Sequence, residues 1–128
     1  MAWWLVGIGG MIGSIMRYSL YVMMQHGWQL PPYISTILVN ILGSFLIGMA
    51  AVWVEHTAIA PDITAHMRLL LMTGLLGGFT TFSTFSLDAL TLLQQGRLSH
   101  ALLYMFVSCV LGIISAYLGM RLMRGLAL

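Results

Sequence analysis

Four long apolar stretches constrain the fold of this chain more than any other feature of its sequence. They occupy about residues 2–24, 35–54, 67–93 and 100–123. A helix needs about 20 mostly apolar residues to cross about 30 Å of hydrocarbon, and each stretch is long enough. Polar linkers separate the stretches, and the three prolines lie in the first two linkers, where helices stop or start. We therefore predict an all-α integral membrane protein, one domain over residues 1–128 with four transmembrane helices surrounded by lipid.

The scarcity of charge supports this prediction. Charged residues make up 6% of the 128 positions, against about 25% in soluble domains. A net charge of +2 gives no basis for nucleic-acid binding. The first stretch has no basic start and no small-residue cleavage site, so we interpret it as a span and not as a signal peptide. The four histidines lie in or beside linkers without a shared helix face, which gives little reason to expect an enzyme.

The arginines are almost evenly divided between the two sides of the predicted membrane. Arg68, Arg121 and Arg124 fall on the side of the termini, while Arg97 and the deeper Arg17 fall on the other side. Orientation follows the bias of basic residues flanking the spans, so this balance predicts insertion in both orientations. Four short helices are also too few to enclose a path alone. Both points favour an antiparallel, dual-topology homodimer.

The run at residues 74–86, GLLGGFTTFSTFS, interrupts the third stretch. Adjacent Gly77 and Gly78 each weaken a helix by about 1 kcal/mol relative to alanine, and Thr80 and Thr81 follow. We predict that the third helix is broken near its middle. Freed carbonyls in hydrocarbon must be covered by protein or by a water-filled path, and in other broken helices they hold small cations.

Phe82 and Phe85 follow the predicted break at a spacing that places them on one helix face. Hydroxyl side chains lie beside them at Ser83, Thr84 and Ser86. Packing of the rings in a core explains a single Phe-x-x-Phe well, but it explains the whole run much less well.

Two ionisable residues lie inside the predicted spans. Arg17 is about two-thirds of the way across the first span, where an arginine is a functional or pairing residue, or else an interfacial anchor. Asp88 lies at a similar depth in the third span, so we predict that the two form a buried pair.

In the first span, Gly9 and Gly13 make a small face that allows close approach of another helix.

The second and fourth spans carry polar stripes. The stripe in the second span has four-residue spacing and consists of Thr36, Asn40, Ser44 and Gly48. An unpaired Asn40 amide would be costly in hydrocarbon, so Asn40 is either a ligand or an interhelical contact. Tyr104 and Ser108 lie one turn apart in the fourth span. They form a track for an ion, or the serine bonds to its own backbone.

These residues resemble a known family. The run at 74–86 is similar to the third-helix signature of the Fluc (CrcB) fluoride channels. The similarity extends to Gly10-x-x-Gly13-x-x-x-Arg17-Tyr18 and to Thr36-x-x-x-Asn40-x-x-Gly43, and it covers the whole chain. The resemblance implies a multi-pass channel of the bacterial inner membrane that lets toxic fluoride leave the cytoplasm passively and so confers fluoride resistance. It also implies an antiparallel dimer with two pathways.

The resemblance also assigns roles to individual residues. It implies that Phe82 and Phe85 present their ring edges to fluoride and that Asn40 lies beside the path. The other residues implied to line the pathway are Thr36, Thr81, Ser83, Tyr104 and Ser108.

A structural sodium ion is the implied cofactor, held at the dimer interface by the backbone carbonyls of Gly77 and Thr80 from each subunit. Gly112 stands where the family's polar track often continues with serine, so Ser115 or water would supply the last hydroxyl.

The chemistry agrees with this resemblance. Aromatic edges carry partial positive charge, and hydroxyl and amide groups can replace water around an anion. Two other functions are consistent with four short apolar helices. A proton-coupled drug exporter needs a membrane carboxylate, and the deep acid available is Asp88, near a span end. A non-transporting assembly subunit would use the glycines and Asn40 for packing alone.

Overall fold

The computed structural model describes residues 2–57 and 60–126, and these residues form helices joined by short turns. The α-helices are α1 (Trp3–Val22), α2 (Pro32–His56), α3 (Pro61–Met67), α4 (Gly77–Phe79), α5 (Phe82–Gln94) and α6 (Leu98–Leu126). Two π-helical segments, Met23–Gly27 and Arg68–Leu76, continue α1 and join α3 to α4. Among the described residues, four continuous helical stretches are long and apolar enough to cross a membrane. The prediction of an all-helical, four-span membrane protein is confirmed.

The helices extend beyond the apolar stretches at several ends. Helix α2 begins at Pro32, and the third span begins at Pro61, where the sequence had suggested residues 35 and 67. Proline is well suited to the first helical turn, because the N–H groups of that turn have no acceptor within the helix and proline, which lacks an N–H, loses no hydrogen bond there. Hydropathy marks the segment that lies in hydrocarbon, whereas backbone hydrogen bonds continue the helix into the membrane interface.

The third span is broken in its middle, as predicted, but the break lies at the threonines and not at the glycines. Thr80 has φ −87° and ψ 160°, and Thr81 has φ −151° and ψ 117°, so both are extended. Gly77 and Gly78 remain helical within α4. Their weak helix propensity therefore does not set the position of the break.

Some of the glycines allow α1 to contact the third span backbone to backbone. A methyl group added at Gly13 would overlap the Leu75 carbonyl oxygen, and one added at Gly78 would lie 2.5 Å from the Gly10 carbonyl oxygen. Such contacts are typical of small residues at helix interfaces in membranes. The predicted small face of the first span is confirmed, and Gly78 belongs to the same interface.

After the break, α5 packs against α2 and α6 instead of α1. Helices α2 and α6 lie side by side, and glycines again bring their backbones together. A methyl group on Gly48 would overlap the Ala116 carbonyl oxygen, and one on Gly119 would overlap that of Phe45. The polar stripe of α2 therefore lies on the side of that helix that meets α5 and α6.

The corner between α5 and α6 is fixed by caps at both helices. Gly96 has φ +70°, a left-handed conformation that favours glycine at a helix C-terminus. The N–H groups of Gly96 and Arg97 donate to the carbonyls of Leu93 and Leu92, each at 3.0 Å. The Arg97 carbonyl then accepts the N–H of Ala101 at 3.0 Å. The backbone of Arg97 is thus held between the two helices.

Candidate functional site

Asn40 bridges the break in the third span. Its Nδ2 donates to the Thr81 carbonyl at 2.9 Å, and the Thr81 N–H donates to Oδ1 at 2.8 Å. One side-chain amide thereby replaces two backbone partners that a continuous helix would have supplied. One of the two Nδ2 hydrogens remains beyond this pair of bonds.

The same arrangement removes the usual hydrogen-bond donors from two carbonyls. In an α-helix, the carbonyl of each residue accepts the N–H four residues later. The Thr81 N–H is used by Asn40, so the Gly77 carbonyl loses this donor. The Thr84 N–H donates to the Thr81 hydroxyl at 3.1 Å, so the Thr80 carbonyl loses its donor as well. These are the two carbonyls that the family resemblance selects.

The predicted pair between Arg17 and Asp88 is not formed in this chain, and that prediction is corrected. Arg17 Nε donates to the Gly78 carbonyl at 3.1 Å. Among the described residues, the ion pair within 4 Å is Arg68 with Glu55. Arg17 and Asp88 are separated along the third span, because Arg17 binds the Gly78 carbonyl before the break whereas Asp88 lies on α5 after it.

Asp88 is the acceptor of a cluster of hydroxyl groups. Thr36 Oγ1 lies 2.6 Å and Tyr104 OH 3.3 Å from Asp88 Oδ2. Tyr21 OH in turn donates to Thr36 Oγ1 at 3.2 Å. Two side chains assigned to the fluoride pathway are therefore directed at a carboxylate. Tyr21 gave no sequence signal, since its partner lies on another helix.

A groove of about 340 Å³ lies beside the break, between α2, α5 and α6. Its lining consists of Asn40, Gly43, Ser44, Ile47, Thr80, Thr81, Phe82, Phe85, Ser108, Cys109 and Gly112. The Ser108 hydroxyl is buried and has no hydrogen-bond partner among the described residues. Ser108 is therefore not bonded to its own backbone, which was the alternative explanation from the sequence.

The phenylalanines of the groove belong to a row of aromatic rings. The centroids of Phe82 and Phe85 are 5.5 Å apart, and those of Phe85 and Tyr104 are 5.3 Å apart. Phe82 is 79% exposed in the single chain, so packing of this ring in the core of the chain does not explain it.

Three further hydroxyl groups have contacts or positions that the sequence analysis did not predict. The Thr81 hydroxyl caps the start of α5. The Ser83 hydroxyl lies 3.2 Å from the Thr81 hydroxyl, but Ser83 is exposed and does not line the groove. Ser115 lines a separate recess with Leu20 and Trp28, so it does not continue the track past Gly112.

Comparison with known proteins gives the family. A family model described as "CrcB-like protein, Camphor Resistance (CrcB)" matches residues 4–120. The chain belongs to the CrcB family. The second span and the broken third span of this CrcB chain, Pro32–His56 and Pro61–Gln94, lie wholly within the matched range.

Several relatives of this CrcB chain are named "Fluoride-specific ion channel FluC". The protein of Rhizobium meliloti is 42% identical over 123 residues, which are 95% of this chain and 95% of the relative. That of Francisella tularensis subsp. mediasiatica is 44% identical over 123 residues, covering 94% and 93%. That of Thermus thermophilus is 44% identical over 118 residues, covering 92% and 91%.

The break in the CrcB chain brings opposite partial charges together. Helix α5 begins at Phe82, so the positive end of its dipole lies at the middle of the span. The carbonyls of Gly77 and Thr80, which precede it, offer partial negative charge. A single interruption therefore provides groups suited to an anion on one side and to a cation on the other.

Proposed function

We propose that this protein is a channel that lets fluoride leave the bacterial cytoplasm passively across the inner membrane. The observation that carries the proposal is the buried Ser108 hydroxyl, which has no hydrogen-bond partner within residues 2–57 and 60–126 and lies in the groove that Phe82 and Phe85 also line. The names of the full-length relatives give the same anion. Conduction of an ion needs no catalytic group, so we propose a transport protein and not an enzyme.

The chemistry of the groove suits a small, strongly hydrated anion. The Ser108 hydroxyl and the second Nδ2 hydrogen of Asn40 can replace water. The edges of Phe82 and Phe85 supply partial positive charge. None of the residues that line the groove is charged, so no fixed cation there would trap the ion. A channel must bind its ion weakly enough to release it.

The groove leads toward the end of the membrane at which α5 and α6 meet. Phe85 borders the groove and stacks on Tyr104, and Asp88 lies one turn further along α5. On this route the anion would compete with the Asp88 carboxylate for the protons of Thr36 and Tyr104, because both hydroxyls now donate to that carboxylate.

We propose that two copies pair antiparallel, with a sodium ion between them. Phe82 and Gly77 are exposed in the single chain near the break, and pairing there would cover both. The carbonyls of Gly77 and Thr80 are neutral oxygen donors, which suit a monovalent cation better than a divalent ion that prefers carboxylates. When bound, such an ion would add positive field near the pathways.

Fluoride efflux from liposomes that contain the purified protein tests the function, with chloride as the comparison ion. Replacing Phe82 or Phe85 by isoleucine retains most of the volume but removes the ring edge. We expect Phe82→Ile and Phe85→Ile each to lower the fluoride flux by at least about tenfold, equivalent to about 1.4 kcal/mol in barrier height.

Phe106→Ile is the matched control, because Phe106 lies on α6, is exposed and does not line the groove. Its flux should match that of the unmodified protein. Fluoride flux no greater than chloride flux in the unmodified protein would contradict the proposed function. Unchanged flux in both of the other variants would contradict the role of the ring edges.

A further inference from the structure

A second recess lies at the end of the row of aromatic rings, and we call it the mouth recess. It has a volume of about 190 Å³ and is lined by Pro31, Pro32, Tyr33, Asp88, Thr91, Leu92, Gln95 and Arg97. Pro31, Gln95 and Arg97 lie in the linkers at one side of the membrane, and Pro32 and Tyr33 begin α2 there, so the recess opens at that side. Asp88 joins it to the hydroxyl cluster, and Phe85 lies three residues earlier on α5, a rise of about 4.5 Å.

The aromatic row continues from the groove to this recess. Beyond Phe85 and Tyr104, the Tyr104 ring meets Tyr33 edge to face with centroids 5.9 Å apart. The Arg97 guanidinium carbon then lies 5.7 Å from the centroid of the Tyr33 ring, within the range of a cation–π contact. Four rings and one cation thus connect the middle of the membrane to its surface.

Arg97 is well placed to act on an ion in the mouth recess. Its backbone is fixed by the caps of α5 and α6, and its side chain rests on Tyr33. Within the described residues, no ion pair or hydrogen bond uses its guanidinium group, which leaves five N–H donors for a ligand.

The charges of the recess explain why an arginine is useful there. Asp88 and Arg97 are the charged residues in its lining. Without Arg97, an anion entering the recess would meet an uncompensated carboxylate between walls of low dielectric. Clefts of this kind focus the field of their charges and change the local concentration of an ion.

From this geometry we propose that the mouth recess is where the anion enters or leaves the pathway, and that Arg97 attracts it there. This inference rests on the proposed function and adds a residue to it. Because Arg97 rests on an aromatic ring and is not fixed by a carboxylate, it can attract an anion from water without forming part of the narrow pathway.

The test is fluoride efflux from liposomes at two ionic strengths, set with sodium gluconate, whose anion is too large for the groove. At about 0.01 M the Debye length is about 30 Å, and at about 1 M it is about 3 Å. We expect Arg97→Gln to lower the flux by about three- to tenfold at the low ionic strength and by less than about twofold at the high one. Arg97→Lys retains the charge and should retain most of the flux.

Arg124→Gln is the matched control, because it removes an exposed arginine at the opposite end of α6. It should not change the flux at either ionic strength. Unfolding temperatures of all variants show whether the fold is retained.

Equal flux of Arg97→Gln and the unmodified protein at low ionic strength would overturn the inference and leave the proposed function intact. A loss of the same size at both ionic strengths would also overturn it, because it would indicate a packing role or a contact with lipid headgroups. If the unmodified protein conducts no fluoride, the proposed function fails and this inference fails with it.

Discussion

At the scale of single residues, Asn40 acts both on the backbone at the break and on the groove beside it. Its amide pairs with both the N–H and the carbonyl of Thr81, and Thr81 is only 8% exposed. A shorter side chain would leave two buried backbone groups unpaired. Each such group costs about 1–3 kcal/mol. Asn40 therefore determines the shape of the break as well as the polarity of the groove.

We expect Asn40→Ala to lower the fluoride flux and the free energy of unfolding together, the latter by about 2 kcal/mol or more. Flux assays in liposomes and denaturant unfolding in detergent measure the two effects. Ser44→Ala is the control, since Ser44 lines the same groove one turn away. A variant that loses flux but keeps nearly full stability would show that Asn40 acts as a ligand alone.

Cys109 provides a native probe of the groove. It is exposed and lies beside Ser108 in the lining, and the chain contains no other cysteine. We expect a small, water-soluble methanethiosulfonate reagent to modify Cys109 and to lower the fluoride flux, because the adduct would occupy part of the 340 Å³ volume. Cys109→Ala should resist the reagent. Full modification without loss of flux, or no modification, would indicate that ions in water do not pass through this groove.

At the scale of helices, the sequence predicted the number of spans, the break and the small face of α1, because length, hydropathy and residue size determine these features locally. It did not predict which groups meet across helices. Counting residues along the spans placed Arg17 and Asp88 at a similar depth, but the partners of each side chain depend on how the helices pack. The position of the break likewise depends on Asn40, which lies 41 positions from Thr81.

The glycines of α1 allow a matched test of that packing. A methyl group at Gly9 would overlap the Leu70 carbonyl oxygen and lie 2.8 Å from the Leu75 nitrogen, whereas one at Gly10 would lie 3.9 Å from the Gly74 carbonyl oxygen. We expect Gly9→Ala to destabilise the protein by about 1–3 kcal/mol, the usual cost of overpacking. Gly10→Ala should be neutral or slightly stabilising, because alanine favours the helix. Equal unfolding temperatures of the two variants would contradict the backbone contact.

At the scale of the whole molecule, the balance of arginines predicts that both orientations occur in one membrane. Reporter cysteines at Ser99→Cys and Gly125→Cys, in a Cys109→Ala background, lie at opposite ends of α6. Both positions are exposed. A thiol reagent that cannot cross the membrane should label about half of each population from one side. Complete labelling of one reporter and none of the other would establish a single orientation.

An antiparallel pair makes the identity of the central ion testable. The two-fold axis would bring the Gly77 and Thr80 carbonyls of both copies together, and each has lost its helical donor within its own chain. Without a cation, these oxygens would face each other in hydrocarbon, where an unpaired carbonyl is costly. We therefore expect the fraction of dimer in detergent, measured by cross-linking, to fall when N-methylglucamine replaces sodium at constant ionic strength. Returning sodium should restore the dimer, and the same amount of magnesium should not, because magnesium gives up its water reluctantly and prefers carboxylates. A dimer fraction that stays constant through both exchanges would mean that the freed carbonyls are satisfied by protein or water and that no sodium ion joins the two copies.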